Sequence, residues 1–226
     1  MVKMHLKRIA VPKTWPLMRK AAVFTLRPHP GSARISEGIP LGLALRDMLQ
    51  FATSVRECKS ILASRKVLVN GKRRRDHRHL LGLFDVLSFP DIDKAYRLSF
   101  SGKGRLMLVE VKKNEADIII SRIRGKTMLT GGKMQLNLLN GYNLIVDKAA
   151  YRVGDSLILK GSKVSAHVAM EKGTRIFLKG GGHTGMKGTI EEIVGDKLVV
   201  KGETGTFETR KEFALPIGKD KELVTV

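Results

Sequence analysis

The chain has 226 residues, with 42 Lys or Arg against 21 Asp or Glu, a formal charge of +21 and one cysteine. That length allows one large or two to three small domains, and so large an excess of one sign repels itself until an anionic partner such as nucleic acid relieves it. Membrane and secretory roles are disfavoured. No uninterrupted apolar segment approaches the roughly 20 residues that span a bilayer, no strongly apolar helix face is long enough to lie on one, and the basic stretch Met1 to Ile9 lacks the apolar centre of a signal peptide. Cys58 alone cannot form an internal disulfide, which suits a reducing cytosol.

Residues 1 to 40 show neither the helical nor the strand period. They hold Pro12, Pro16, Pro28, Pro30 and Pro40 among eight cations: Lys3, Lys7, Arg8, Lys13, Arg19, Lys20, Arg27 and Arg34. Such a segment cannot build a core. Two readings stand: a disordered solubilising tail, or an extended arm that orders against nucleic acid. Trp15, the only tryptophan, argues for the second, because an indole in a core-less basic segment needs a base, an RNA groove or the protein's own body to lie against.

Residues 41 to 94 read as a helix pair joined to a hairpin. Leu45, Met48, Leu49 and Ala52 recur at the spacing of one buried helix face. Ser54 followed by Glu57 is a capping box that starts a second helix with the stripe Val55, Cys58, Ile61 and Leu62. Beyond Lys66 the period changes to two at Val67 and Val69, and Asn70-Gly71 supplies the positive φ angles of a type I′ turn. The return strand or loop carries Lys72, Arg73, Arg74 and Arg75, whose side chains must alternate, so at most half can face one ligand. The apolar run Leu80 to Phe89, punctuated by Gly82 and Asp85, closes the module.

From residue 95 to 170 short β-type runs dominate: Leu106 to Val111, Asp117 to Ile123, Met134 to Leu139, Leu144 to Asp147 and Ser156 to Leu159. Turn signals separate them at Ser101-Gly102-Lys103-Gly104, Gly131-Gly132, Asn140-Gly141 and Gly154-Asp155, a pattern that predicts a small barrel or sandwich. Residues 171 to 226 continue as strands at Arg175 to Lys179, Thr189 to Val194 and Lys197 to Lys201. Between the first two, Gly180, Gly181, Gly182, Gly185 and Gly188 either make tight turns or bring backbone close to a ligand.

Charge is spread along the chain. Residues 1 to 40 carry +7, 41 to 90 carry +6, 91 to 170 carry +7 and 171 to 226 only +1, which implies a long basic footprint rather than one patch. The candidate RNA-contacting residues are the arm cations and Trp15; Arg46, Arg56, Lys59, Arg65 and Lys66 on and after the helix pair, four of them along a concave face; Asn70 and Lys72 to Arg75 at the hairpin; and Lys179, His183 and Lys187 at the glycine loop. The nearly neutral final module either touches RNA at that loop or serves as a protein-facing cap.

Catalytic constellations are weak. His77 and His79 have no Cys pair or further His at finger-like spacing, so solvated or phosphate-contacting imidazoles are expected rather than a metal site. Asp91 and Asp93 read as a linker turn, and Cys58 as a core thiol. No cofactor, metal or small-molecule substrate is expected, nor an obligate homo-oligomer.

The helix pair followed by Val67-Leu68-Val69-Asn70-Gly71-Lys72 resembles the small RNA-binding fold first recognised in bacterial small-subunit ribosomal protein four. The window Gly180 to Ile190 resembles the KOW motif, a glycine-centred strand-loop-strand. Together with His5-Leu6-Lys7-Arg8, Pro12-Lys13, Trp15, Gly125-Lys126-Thr127, Gly132 to Leu138, Phe207-Glu208-Thr209 and Ile217-Gly218, their order resembles, over essentially the whole chain, archaeal and eukaryotic small-subunit ribosomal proteins of the "e" type four family. The resemblance implies an α+β, mostly β chain: a basic extended arm, a helix-pair and hairpin domain, a central small β-barrel-like domain and a C-terminal SH3-like KOW barrel. It also implies contact with small-subunit ribosomal RNA and neighbouring ribosomal proteins, a cytoplasmic, ribosome-bound location, and no catalysis. Two positions depart from the pattern: Arg65 stands where a glycine is common, and Lys59 where an arginine is usual.

The same helix-hairpin module also occurs on pseudouridine synthases and on a tyrosyl-type tRNA synthetase, so an RNA-modification or ribosome-assembly factor is the alternative. A synthase needs an Arg-Leu-Asp context, which Arg97-Leu98-Ser99 and Arg105-Leu106-Met107 lack, and a synthetase needs alternating strands and helices.

Overall fold

A computed structural model describes residues 5–146, 151–161, 163–202, 205–219 and 223–225. The chain divides into two compact units, Met1–Phe100 with Arg105–Ala116, and Ser101–Gly104 with Asp117–Val226. Strands dominate both, giving a mostly β, α+β chain with few helices.

In the first unit β1 (Leu6–Lys7) pairs antiparallel with β2 (Phe24–Thr25), and β3 (Gly38–Pro40) leads into the first helix. That helix is α-helical over Leu41–Leu43 (α1) and continues as a π-helix over Ala44–Met48. The periodic stripe predicts a helix long enough to include Ala52, but the chain leaves the helix at Leu49 and turns through Gln50 at φ 56°, so Ala52 is buried from beyond the helix end. The second helix α2 (Val55–Ser64) has the expected cap: Ser54 Oγ accepts from the Glu57 amide at 3.2 Å. Glu57 returns the contact one residue further out than a capping box requires, accepting from the Thr53 amide at 2.8 Å. Those bonds to Thr53, together with the Ser54 hydroxyl, hold the Glu57 carboxyl below the usual glutamate range. Cys58 and Leu62 are fully buried, and the Cys58 thiol lies 3.5 Å from the Gly42 carbonyl, tying α2 to the first helix. Burial raises the pKa of that thiol, which keeps it an unreactive core group.

After α2 the chain leaves through Arg65 in an extended conformation, φ −97° and ψ 157°, so this position needs no glycine. The hairpin β4 (Leu68–Val69) and β5 (Lys72–Arg73) closes through Asn70 (φ 51°) and Gly71 (φ 74°), the two left-handed residues that a type I′ turn demands. Next, β6 (Leu80–Gly82) pairs with β3, and β7 (Val86–Phe89) joins β4. The sequence reading sets a domain boundary at residue 94/95, yet β8 (Lys94–Phe100) and β9 (Leu106–Val111) extend the hairpin's own sheet across it, in the order β5-β4-β7-β8-β9. The alternation in 95–111 identifies strands but not their partner, because strand period is the same whichever sheet a strand joins.

The second unit contains two sheets. β10 (Ile118–Met128) pairs through its first half with β13 (Ser156–Lys160) and through its second half with β11 (Met134–Leu138). A bulge between Ile123 and Gly125 bends the strand so that one element serves both pairings. With β12 (Asn143–Val146) and β14 (Lys163–Val168) the order is β12-β11-β10-β13-β14, around a core of Ile119, Ile123, Leu136, Leu138, Leu157 and Leu159. The last sheet, β15 (Arg175–Leu178), β16 (Lys187–Val194), β17 (Lys197–Gly202), β18 (Gly205–Arg210) and β19 (Ala214–Gly218), has the order β18-β17-β16-β15-β19. Its buried face carries Ile176, Leu178, Ile190, Leu198, Val200 and Ala214. Arg122 on β10 donates to the carbonyls of Lys211, Glu212 and Ala214 at 2.8, 2.8 and 3.2 Å, linking the two sheets of this unit.

Candidate nucleic-acid interface

The hairpin is locked from behind. Asn70 Nδ2 donates to Asp85 Oδ1 at 2.7 Å, Asn70 Oδ1 accepts from the Val86 amide at 2.8 Å, and Asp85 Oδ2 accepts from the Gly82 amide at 2.7 Å. Asn70, a candidate RNA contact in the sequence, thus spends both side-chain atoms inside the protein. Burial pushes the Asp85 carboxyl up to about 6, despite the opposing hydrogen bonds from Asn70 and Gly82 and the charge of Arg74. On this frame Lys72, Arg73 and Arg75 are exposed while Arg74 is half-buried. Arg73 Nη2 reaches back 3.2 Å to the Ala63 carbonyl near the end of α2, so the cation sits where that helix end is most negative.

Arg56, Lys59, Arg65 and Lys66 are all exposed, on α2 and just after it. Arg46 differs: it is half-buried and held by Asp47 at 2.8 Å. His77 and His79 are also half-buried. Burial first, then the charge of Lys59, lowers the pKa of His77, while burial and then Arg74 lower His79, so both favour the neutral form. Among the described residues no three His, Cys, Asp or Glu side chains are grouped to hold a metal.

The N-terminal cations divide. Lys3 lies outside the described residues. Lys7, Lys13, Lys20 and Arg34 are exposed; Arg8 and Arg27 are half-buried; Arg27 donates to the His5 carbonyl at 3.4 Å and Arg19 to the Val11 carbonyl at 3.2 Å. Trp15 is 3% exposed and its Nε1 donates to the carbonyls of Gly38 (2.8 Å) and Ile35 (3.0 Å). Of the partners an indole needed here, the structure supplies the protein's own body. Thr14 adds bonds at each side, its hydroxyl donating to Ser36 O at 2.8 Å and its carbonyl accepting from the Leu106 amide at 2.7 Å. A segment without its own core is ordered by borrowing the unit's.

In the second unit the glycine loop is explained mostly by the protein itself. Gly185 needs its positive φ of 88°, and a side chain on Gly188 would stand 2.5 Å from Val200 Cγ1 and 2.9 Å from the Lys201 carbonyl. His183 stacks on Phe207 with ring centroids 4.1 Å apart at 19°, and Lys179 and Lys187 are half-buried. The registers Arg175↔Thr189 and Thr189↔Lys201, with Lys187 two residues from Thr189, put three cations on one face of the sheet. They surround a polar cavity of about 210 Å³ lined also by Gly188, Thr189, Gly202 and Ile217. Sequence reasoning found only Lys187 of these, because Arg175 and Lys201 are far apart in the chain and meet through strand pairing alone.

Among the described residues no helix is long and apolar enough to cross a membrane.

The fold and its exposed cations define a basic, sheet-rich binding protein. Comparison with known proteins makes the assignment specific. A family model described as "Ribosomal family S4e" matches residues 92–163, and one described as "RS4NT (NUC023) domain" matches residues 2–32. The chain is 38% identical to small ribosomal subunit protein eS4 of Methanocella arvoryzae over 97% of this chain and 96% of that protein. It is 37% identical to the eS4 of Methanosphaera stadtmanae (98% and 95%) and 35% to that of Methanocaldococcus jannaschii (98% and 97%). The crystal structure of the 30S ribosomal protein S4e from Thermoplasma acidophilum superposes with a TM-score of 0.69 at 28% identity, covering 81% of this chain and 96% of that one. The chain belongs to the S4e family of ribosomal proteins, a family of structural proteins and not of enzymes.

Proposed function

We propose that this chain is a structural constituent of the small ribosomal subunit, ribosome-bound in the cytoplasm, that holds ribosomal RNA by backbone phosphates and by the folded shape of the RNA. The observation that carries this reading is the set of exposed cations on α2 and the hairpin, Arg56, Lys59, Arg65, Lys66, Lys72, Arg73 and Arg75, mounted on the frame fixed by Asn70 and Asp85. Phosphate contacts position a protein and carry little sequence information, so selectivity comes from RNA shape. The described N-terminal segment 5–40 serves as a basic arm laid along the body, and its exposed Lys7, Lys13, Lys20 and Arg34 extend the footprint.

The final sheet acts as a KOW-type, SH3-like module. Its RNA contacts are Lys179, His183 and Lys187 at the glycine loop, and the three cations lining the cavity beside Gly188 support an RNA-facing role over a purely protein-facing one. Neighbouring ribosomal proteins are the second class of partner. The proposal is tested by titrating full-length protein with a small-subunit ribosomal RNA transcript at several salt concentrations. If about 6 to 10 phosphates are neutralised, affinity falls by roughly three to five decades between 50 and 200 mM salt, with duplex DNA as the guide. Salt-insensitive association would overturn it.

A further inference from the structure

Gln50 is one of four non-glycine residues with positive φ among the described residues, at 56°. It follows a helix whose last turns are π-type, with the Leu49 amide on the Ala44 carbonyl (2.9 Å) and the Phe51 amide on the Leu45 carbonyl (2.9 Å). This is a Schellman-like exit widened by one residue, and it fixes the direction of the next side chain. A residue other than glycine in this region is uncommon, and such strain persists where surrounding structure holds it. The side chain so placed is Phe51, an aromatic ring left 38% exposed.

Phe51 is the outermost of three rings. Its centroid lies 5.2 Å from Phe89 (76°) and 6.4 Å from Tyr96 (67°), both edge-to-face, and Phe89 and Tyr96 are themselves 6.2 Å apart. The rings back an apolar cleft of about 340 Å³ lined by Phe51, Ile61, Phe89 and Ile92, with Arg65, Lys66 and Asp91 at its polar positions. That volume is at the lower end of the roughly 300–1,000 Å³ of small-molecule sites, suited to something the size of one aromatic heterocycle. Arg65 and Lys66 form no ion pair among the described residues. An occupant with an aromatic body and an anionic tail therefore complements the cleft, and an apolar protein side chain leaves both cations unanswered.

We propose that this cleft captures one unstacked nucleotide of bound RNA, its base against Phe51, its phosphates on Arg65 and Lys66, and its exocyclic amine on Asp91. The proposal rests on the RNA-binding role above and adds a base-specific contact to it. Aromatic rings are stacking platforms for extruded bases, and a carboxylate accepts from the cytosine N4 amine but opposes the uracil O4 oxygen.

Fluorescence-anisotropy titrations of dye-labelled cytidine, uridine and abasic hexanucleotides of equal charge with full-length protein test it. Loss of one base-aromatic contact corresponds to roughly a 5- to 150-fold change in affinity. Cytidine is expected to bind more tightly than uridine, and uridine more tightly than the abasic strand. Phe51→Ala brings both down to the abasic value. Phe51→Leu, which keeps an apolar side chain at the cleft and removes its stacking face, does the same if the alanine variant fails to fold. Asp91→Asn removes only the preference for cytidine over uridine. Equal affinity of the native protein for all three strands, or base preferences that survive both Phe51→Ala and Phe51→Leu, would overturn the proposal while leaving phosphate binding intact. Absence of abasic-strand binding at low salt would instead count against the RNA-binding role itself.

Discussion

The side-chain amide of Asn70, at the tip of the basic hairpin, donates to the buried carboxylate of Asp85 at 2.7 Å, joining the turn to β7 across a gap of fifteen residues in sequence. Asn70 Oδ1 holds the Val86 amide in the same arrangement, so a single residue sets both the turn and its docking. Asn70→Ala removes these bonds and puts a Cβ-branched-free but still left-handed-averse residue at φ 51°. The loss of stability in urea unfolding is expected to be about 2–4 kcal/mol, from one or two stranded buried groups. Asn70→Gly keeps the turn and is expected to lose about 1 kcal/mol less. Equal losses for the two would show that backbone strain is not part of the lock.

Asp85 gives a pH signature of unusual sign. Its carboxyl is raised from 3.8 to about 6 by burial, so between those values the native chain holds a proton that the unfolded chain has released. Stability from this group is therefore greatest below about pH 4, falls as pH rises to about 6, and is constant above. A shift of this size is worth about 3 kcal/mol at 1.36 kcal/mol per pH unit. Urea unfolding from pH 4 to 7 should show this falling contribution as a difference between native protein and Asp85→Asn, which cannot titrate. Glu57 works in the opposite direction: its lowered carboxyl favours folding above the ordinary glutamate range and loses that contribution as pH falls.

Ser54 caps α2 through the Glu57 amide at 3.2 Å. Ser54→Ala is expected to destabilise the chain by about 1 kcal/mol, measured by thermal or urea unfolding, with RNA affinity altered only to the extent that α2 frays.

Trp15 is the chain's single tryptophan, so its fluorescence reports the arm alone. At 3% exposure its emission should be blue-shifted and poorly quenched by acrylamide in the free protein, and adding RNA should change it little. An emission maximum like that of free indole, moving on RNA addition, would mean that the arm orders only on the RNA.

The hairpin cations are expected to act through phosphates. Changing Lys72, Arg73 and Arg75 together to Ala, with Arg74 left beside Asp85, should lower the slope of log affinity against log salt by about 1.4, taking roughly 0.7 per single-strand contact and at most two of the run facing one RNA strand. An unchanged slope would mean that the run is merely solvated.

How far the sequence was readable follows from the range of the forces involved. Ser54-x-x-Glu57 and Asn70-Gly71 act within four residues and were legible as a cap and a turn. The strand runs were legible from alternation, as at β11, but the choice of partner was not: β8 and β9 joined the hairpin's sheet because pairing depends on distant chain. Ala52 fitted a helix face by spacing alone, and the π-turn that ends the helix before it left no periodic trace. At the candidate interface, the run of cations Lys72 to Arg75 was legible from its place after the turn, whereas which of them is half-buried, and the internal duties of Asn70 and Trp15, depend on groups 15 to 23 residues away in the chain. The Phe51 cleft was invisible for the same reason, since Phe51, Phe89 and Tyr96 meet only after folding.

The most direct measurement is sedimentation of the protein expressed in archaeal cells, with its abundance in each gradient fraction compared with that of small-subunit ribosomal RNA. Stoichiometric migration with small subunits, released in parallel as salt is raised, is the expected result. A largely free pool, or substoichiometric association confined to precursor particles, would contradict a structural role and point to an assembly or modification factor.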